Sequence, residues 1–263
     1  MPEGDTIHRT ADALRRALLG RTLTRVELPR VPAPHPRPGA TVDAIEARGK
    51  HLLIATSDEL VVHTHLRMTG SWHLYRPGER WRKATRAARA VLAVDGALAV
   101  CFAAPVVAVL AADRVERHPA LRHLGPDLTA PTADLDAAVE RMARFSTPDR
   151  PIGEALLDQR IACGVGNVYR SEVLFLHGVH PATAVDDVPT EIRERLLDTA
   201  AHLLRRNLDT AARTTVTDGA PGPLWVYGRA GEPCRRCATP IERSHLGDHA
   251  RVVSHCPVCQ PAP

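Results

Sequence analysis

The chain has 263 residues, of which 44% are hydrophobic, 24% are charged and 3% are aromatic. This composition supports a sizeable core built mainly from aliphatic side chains, and it excludes a disordered or fibrous protein. No run of about 18 apolar residues is present, and the acidic residues 1–5 include no apolar core. We therefore expect neither a membrane span nor a secretion signal, and we expect the cytoplasm as the compartment.

Basic residues slightly outnumber acidic ones, with 34 Lys and Arg against 30 Asp and Glu and a formal net charge of +4. This balance favours anionic partners without proving one. Lys50 and Lys83 are the only lysines, and the other basic residues are arginines. Because Arg keeps its proton at neutral pH whereas Lys does not always do so, a retained lysine is a candidate for chemistry.

The first predicted element is a helix. Four apolar side chains recur at helical spacing near the start of the chain, namely Ile7, Ala11, Leu14 and Leu18. This pattern predicts a helix over residues 6–19 with its apolar face on a core. Asp5 or Thr6 is expected to cap its start, and Gly20 is expected to end it.

The pattern then changes to short segments rich in Val, Leu and Thr. The predicted strands are 22–28, 41–47, 51–56, 60–65, 90–94 and 97–110. Asp95-Gly96 between two apolar runs predicts a hairpin, and the proline-rich residues 29–39 predict an extended loop. The regular spacing of the strands predicts a β-sandwich or barrel.

From about residue 119 onward the pattern is helical. The predicted helices are 134–144, 151–162, 167–177 and 189–207. A domain boundary near residues 112–120 follows from this change of period.

Four of the six cysteines lie close together at the C-terminal end, as Cys234-x2-Cys237 and Cys256-x2-Cys259. Two such pairs separated by 18 residues predict a tetrahedral zinc site, and four unrelated thiols are the disfavoured alternative. Because four thiolates complete the coordination shell, we expect one structural Zn2+. The basic residues between the pairs fit a phosphate clamp and a solvated face equally well.

The N-terminus offers a candidate nucleophile. Removal of Met1 would leave Pro2 with a secondary amine, and a terminal amine has an ordinary pKa of about 7.7–8. Such an amine is partly neutral at physiological pH, and the adjacent Glu3 is a candidate general acid or base. Proline at position 2 is also common without any catalytic meaning.

Two further positions are candidates for phosphate contact. Lys50 lies in a predicted turn between two strands, where it would hold a phosphate, deliver a proton or be an ordinary surface lysine. Gly164 and Gly166 precede a predicted helix that begins at Asn167, whose side chain can cap the helix and donate to a phosphate. A helix N-terminus with exposed N–H groups suits an anion, although a capped helix needs no ligand.

Several motifs occur together and in order. They are Pro2-Glu3-Gly4, Arg48-Gly49-Lys50, His65-Leu66-Arg67-Met68-Thr69-Gly70, the segment from Leu156 to Tyr169, and the segment from Val226 to Cys234. In this combination the chain resembles the formamidopyrimidine-DNA glycosylase and endonuclease VIII family of base excision repair. The resemblance covers nearly the whole chain.

The resemblance implies an α+β multidomain fold with DNA in a cleft. An N-terminal helix and β-sandwich would form a catalytic domain over residues 1–118. A helix–two-turn–helix domain would follow over residues 119–225, and a zinc-finger hairpin would occupy residues 226–263.

The resemblance also implies roles for individual residues. Pro2 would attack C1′ of the damaged nucleotide and form a Schiff base, while Glu3 would donate and shuttle protons. Lys50 would assist β-elimination, and Arg251 would bind phosphate and assist δ-elimination.

Four more residues are expected to contact DNA. Arg67 and Met68 belong to the loop that probes the duplex, and Met68 is a credible wedge to fill the space that a flipped nucleotide leaves. Asn167 would hold a backbone phosphate. His123 stands where the endonuclease VIII pattern has arginine, which puts its phosphate contact in doubt.

The lesion class follows from a missing motif. Members that act on oxidised purines carry an Arg-x-Phe pair on a later loop, and residues 102–112 lack such a pair. This favours the endonuclease VIII branch and oxidised pyrimidines, although His-Leu-Arg-Met is closer to the purine branch. The alternatives are an oxidised-purine glycosylase and a catalytically silent zinc protein that binds damaged DNA. We expect a bacterial monomer associated with the nucleoid.

Overall fold

The computed structural model describes residues 2–147, 149–216, 222–247 and 251–263. Its internal contacts divide the chain into two compact units, Met1–Arg122 and His123–Pro263. Each unit has a hydrophobic core of its own. Among the described residues, every helix is too short or too polar to cross a bilayer. The finer boundaries after residues 118 and 225 stay predictions.

The first unit is a helix followed by eight strands. The helix α1 spans Gly4–Leu18. The strands are β1 (Leu23–Glu27), β2 (Val42–Arg48), β3 (His51–Thr56), β4 (Leu60–His65), β5 (Ser71–Tyr75), β6 (Ala88–Val94), β7 (Ala97–Phe102) and β8 (Val106–Ala111). They form two antiparallel four-stranded sheets with the orders β1-β6-β7-β5 and β2-β3-β4-β8. The predicted sandwich is therefore confirmed.

The apolar face of α1 is confirmed, because its four predicted side chains are each at most 1% exposed and belong to the core of the sandwich unit. The predicted cap is wrong. Glu3 occupies the N-cap position without a side-chain cap, and the helix begins at Gly4. Asp5 instead lies buried in the first turn and pairs with Arg9, one helical turn later, at 3.2 Å.

The strand predictions differ from the structure at two places. The predicted strand 97–110 is two strands, because Ala103 adopts a left-handed φ of 50° and Pro105 has no N–H for a sheet ladder. Strand β5 was not predicted, although Ser71–Tyr75 pairs along its whole length with β7. The predicted Asp95-Gly96 hairpin is confirmed between β6 and β7.

The second unit is helical and ends in a hairpin. Its helices are α2 (Leu135–Phe145), α3 (Ile152–Ala155), α4 (Asn167–Leu176) and α5 (Thr190–Arg206), and the C-terminal hairpin consists of β9 (Glu242–Leu246) and β10 (Arg251–His255). The predicted helix 151–162 is too long. The Asp158 carboxylate accepts a hydrogen bond from the backbone N–H of Arg160 at 3.0 Å, which favours a turn over helix there.

A small second core joins α4 to the cysteine-containing segment. Phe175 of α4 packs with Trp225, Val226, Ile241 and Cys256. Helix α4 and the residues around the cysteines therefore share one hydrophobic core.

Candidate functional site

The N-terminal candidates lie at the start of α1. Pro2 is half-buried, and Glu3 is fully buried at the N-cap position with an extended backbone. The Glu3 carbonyl oxygen accepts a hydrogen bond from the N–H of Ile7 at 3.0 Å, so it is the first acceptor of the helix. A carboxylate at this end is favoured by the helix dipole. The helix thereby fixes the position of the residue next to the candidate nucleophile.

Lys50 lies in the two-residue turn between β2 and β3. Arg48 and His51 are register partners on either side of it, and Gly49 has a φ of 55°, a conformation that glycine adopts readily. Lys50 is half-buried and acts electrostatically on His51 and His65. The tight turn therefore fixes the backbone position of Lys50.

The loop between β4 and β5 presents Met68 to solvent. A hydrogen bond of 2.8 Å from the Gly70 N–H to the Leu66 carbonyl oxygen closes it, and a Cβ at Gly70 would lie 2.7 Å from that oxygen. Leu66 is buried, whereas Met68 is 76% exposed. Arg67 is also exposed and has a left-handed φ of 46°. The loop is a constrained turn with a long apolar side chain at its tip.

Asn167 begins α4, and it does not cap that helix as predicted. The cap position belongs to Gly166, and the Asn167 amide Nδ2 donates instead to the Val252 carbonyl oxygen of β10 at 2.7 Å. Arg170 reinforces this link, since its guanidinium donates to the Asn167 Oδ1 and, at 2.8 Å, to the same Val252 oxygen. The start of α4 is thus bonded to the strand that begins with Arg251.

Arg251 is exposed at the start of β10 and lines a cavity of about 380 Å³. Most of its lining is polar, and the remaining members are Arg150, Glu154, Leu157, Asp158, Gln159, Arg170, Leu246 and Gly247. Burial alone would raise the pKa of Asp158, but hydrogen bonds from Arg160 and Arg150 outweigh burial and lower it. The carboxylate is therefore ionised and engaged by two guanidinium groups, while Arg251 faces the same cavity.

His123 is exposed in a turn at the start of the second unit. The structure brings Asn167 and Arg251 to one region of that unit. Its predicted phosphate contact stays a prediction.

The four predicted zinc ligands converge. The sulfur atoms of Cys234, Cys237, Cys256 and Cys259 all lie within 4.8 Å of one another, with individual separations of 3.5 and 3.9 Å. A tetrahedron with Zn–S bonds of about 2.3 Å has edges of about 3.8 Å. Hydrogen bonds from Thr239 also lower the pKa of the Cys237 thiol, which favours the thiolate that binds metal. The residues present fit a zinc ion.

Two groups of buried polar residues escaped the sequence analysis. Arg170 and Glu172 are fully buried, and their signal was a pair of charges flanked by apolar residues of α4. His51 and His63 are buried in the sandwich unit. The sequence indicated this group only through the spacing of His63 and His65, two positions apart on β4, which places both side chains on one face of the sheet.

Comparison with known proteins gives matches over most of the chain. The model of the formamidopyrimidine-DNA glycosylase N-terminal domain matches residues 1–105, and the model of the formamidopyrimidine-DNA glycosylase H2TH domain matches residues 124–218. The chain is 42% identical to probable endonuclease 8 2 of Streptomyces coelicolor, over 100% of this chain and 95% of that protein. It is also 42% identical to the DNA-(apurinic or apyrimidinic site) lyase Nei2 of Mycolicibacterium smegmatis, over 100% of both.

A solved structure agrees with the fold. The Lactococcus lactis Fpg in a complex with abasic-site DNA superimposes with a TM-score of 0.80 at 23% identity, over 99% of this chain and 100% of that chain. Matching domain models in the expected order, together with full-length relatives at 42% identity, show that the chain belongs to the formamidopyrimidine-DNA glycosylase and endonuclease VIII family.

Proposed function

We propose that this protein is a bifunctional DNA glycosylase and abasic-site lyase of base excision repair, and that it removes oxidised bases, pyrimidines above all. The observation that carries the proposal is the full-length identity of 42% to a relative named as an abasic-site lyase, combined with Pro2-Glu3 at the start of α1. The fully buried Glu3 is held next to the residue whose amine would react.

The proposed chemistry begins at Pro2 after Met1 is removed. The neutral amine attacks C1′, the glycosidic bond breaks, and the base leaves with a proton that Glu3 supplies. The attached amine gives up its proton, and the C1′–O4′ bond then breaks as O4′ takes up a proton, which opens the sugar ring and leaves an iminium at C1′. The iminium acidifies the hydrogen on C2′, so loss of that proton expels the 3′ phosphate. A second elimination expels the 5′ phosphate. Lys50 assists the first elimination, and Arg251 holds phosphate during the second.

DNA contact is proposed for residues that lie on exposed or polar surfaces. Met68 fills the gap left by the flipped nucleotide, with Arg67 beside it, and the 76% exposure of Met68 supports this role. Asn167, Arg251 and His123 contact backbone phosphates without reading sequence. Structures of Fpg bound to abasic-site DNA support the same class of partner for this chain.

One structural Zn2+ is proposed for the four cysteines, where it would crosslink the segments on either side of the C-terminal hairpin. A closed set of four thiolates leaves no site for substrate, so the ion holds the fold and takes no part in bond breaking.

We also propose the three domains predicted from the sequence, a monomeric state, and a cytoplasmic location on the nucleoid.

The test is covalent trapping. Borohydride reduces a Schiff base, so wild-type protein incubated with abasic-site duplex should give a stable protein–DNA adduct. The chain has only two lysines, which leaves three candidate amines: the N-terminus, Lys50 and Lys83. Peptide mapping of the adduct should locate the label on Pro2. A form in which Met1 is retained should give none.

Matched lysine variants complete the test. Lys50→Arg should trap on abasic DNA yet cut the strand more slowly, whereas Lys83→Arg should behave as wild type. An adduct on Lys50 would overturn the role of Pro2. Excision measured side by side on thymine glycol and 8-oxoguanine duplexes tests the lesion class, and a preference for 8-oxoguanine would overturn the pyrimidine assignment.

A further inference from the structure

Four histidines of the sandwich unit form a chain of contacts. The His51 Nδ1 and the His63 Nε2 are 2.9 Å apart and share a hydrogen bond. His65 stacks on His51, with ring centroids 4.6 Å apart and an interplanar angle of 24°. His118 meets His63 edge to face at 5.4 Å. We call these four residues the histidine cluster.

Strand pairing places the histidine cluster beside the turn that carries Lys50. His51 begins β3 and is the register partner of His65 on β4. On its other side, His51 is the partner of Arg48 across the β2–β3 turn, so Lys50 directly precedes the residue whose ring contacts His63 and His65. The cluster is therefore the immediate support of that turn.

His51, His63 and His65 carry no charge at neutral pH. The charged groups that act on it or pair beside it are Lys50, Arg67 and Arg48, of which Arg48 is ion-paired with Glu46 and Glu116. Burial, the largest cause, and the neighbouring rings lower the pKa of His51 to about 3 and that of His63 to about 4. Burial and the Lys50 charge lower the pKa of His65 to about 4.

The buried position of His63 is unfavourable for a polar side chain. His63 is 1% exposed, and its Nδ1 has no hydrogen-bond partner among the described residues. Burying a polar group without a partner costs about 1–3 kcal/mol. Such an arrangement is expected where the orientation of a neighbouring group matters more than stability.

We propose that His51 and His63 are positioning residues for Lys50, and that their mutual hydrogen bond holds the His51 ring and the adjoining turn in an uncharged setting. The inference rests on the proposed function, in which Lys50 assists elimination. Neither histidine is assigned a contact with substrate. A proton on His51 would place positive charge beside the Lys50 ammonium and displace it.

The experiment compares two substitutions of one residue. His63→Leu removes the hydrogen bond to His51, whereas His63→Gln keeps an amide able to make it. Strand cleavage of a preformed abasic-site duplex is measured under single-turnover conditions from about pH 3.5 to 9, a range that extends toward the low pKa of His51. We expect His63→Leu to cut about tenfold more slowly at neutral pH. We also expect the pH at which the rate is half-maximal on the acid side to increase by about one unit. The reason is that His51 loses a neighbour that opposes its protonation.

His63→Gln should restore both the rate and the profile. His73→Gln is the control, because His73 lies in the same unit, bonds to Ser71 and Tyr75, and is outside the cluster. Its rate and profile should match those of wild type. Thermal unfolding verifies that each variant is folded, and His63→Met replaces His63→Leu with the same expectation if the latter does not fold.

The outcomes separate this inference from the proposed function. Wild-type protein that neither cleaves nor traps abasic DNA overturns both. Active wild type, with a folded His63→Leu or His63→Met variant whose rate and pH profile superimpose on it, overturns the positioning role alone.

Discussion

Asn167 and Val252 are joined by a hydrogen bond of 2.7 Å from the side-chain amide of one to the backbone carbonyl oxygen of the other. The bond connects the first residue of α4 to β10, 85 positions later in the chain. It ties the C-terminal hairpin to a residue that the sequence suggested only as a helix cap or phosphate ligand.

Asn167→Ala should therefore weaken DNA binding and also loosen the hairpin. The buried Arg170 loses one of its acceptors, so we expect a loss of about 1–3 kcal/mol in the free energy of unfolding. Urea denaturation and duplex affinity measure the two effects. Asn207→Ala is the matched control, because Asn207 is buried and bonded to Leu203 and Thr214. It should lose stability but keep its affinity for DNA once folded, and equal losses of affinity would contradict the assignment.

Glu172→Gln should destabilise the second unit. The buried Glu172 carboxylate accepts hydrogen bonds of 2.7–2.9 Å from the backbone N–H groups of Trp225, Val226 and Tyr227, and another from Thr215. An amide of the same shape turns one acceptor into a donor that faces other donors, at a cost of about 2–4 kcal/mol. A lower urea midpoint is expected, and an unchanged midpoint would show that these bonds add nothing to stability.

Acidification should destabilise the sandwich unit. The pKa of His63 is about 4 in the folded protein and 6.5 ordinarily. The unfolded chain therefore binds more protons below pH 6.5, and stability that is complete above this pH is lost as the pH falls toward 4. At pH 5 the loss from His63 alone is about 2 kcal/mol. Hydrogen exchange of the β4 amides at pH 7 and pH 5 measures it, and His63→Leu should reduce the difference between the two values.

Zinc removal should affect the C-terminal segment first. We expect one zinc ion per chain by native mass spectrometry, and Cys256→Ser should lose both the metal and DNA binding. Cys101→Ala is the control, because Cys101 is buried in the other unit and burial raises the pKa of its thiol to about 12. A full zinc content in Cys256→Ser would contradict the ligand assignment.

Met68→Ala should lower activity on damaged duplex without changing stability. A side chain that is 76% exposed contributes little to folding, so we expect the free energy of unfolding to change by less than about 0.5 kcal/mol. Single-turnover base excision should fall about tenfold or more, because the wedge is missing. Val258→Ala removes another exposed apolar side chain, 61% exposed, and should leave excision unchanged. Equal effects of the two substitutions would remove Met68 from the mechanism.

The periodic parts of the fold could be predicted from the sequence. The stripe from Ile7 to Leu18 is buried as expected, and the strands at 51–56 and 60–65 have the predicted bounds. Periodicity reports burial, so it identifies elements that bury one continuous face. It does not report interruptions by single residues, such as the left-handed Ala103 that divides one apolar run into β7 and β8.

Side-chain partners could not be predicted, because they depend on residues distant in sequence. Asp5 is favourable at a helix cap, yet it lies in the first turn of the helix and pairs with Arg9 one turn later. Cysteine spacing was sufficient to identify the four converging sulfurs, since a CxxC pair determines its own local geometry. The contact between His51 and His63 joins two strands and left no signal beyond the alternation along β4.

The core shared by Phe175, Trp225 and Cys256 has a consequence for cells short of zinc. Because one face of α4 packs on the residues around the zinc ligands, loss of the ion would affect more than the C-terminal hairpin. Loss of the ion would disturb the packing of Phe175 and, along α4, the position of Asn167. A shortage of zinc would therefore weaken both proposed phosphate contacts, those of Asn167 and Arg251, at the same time.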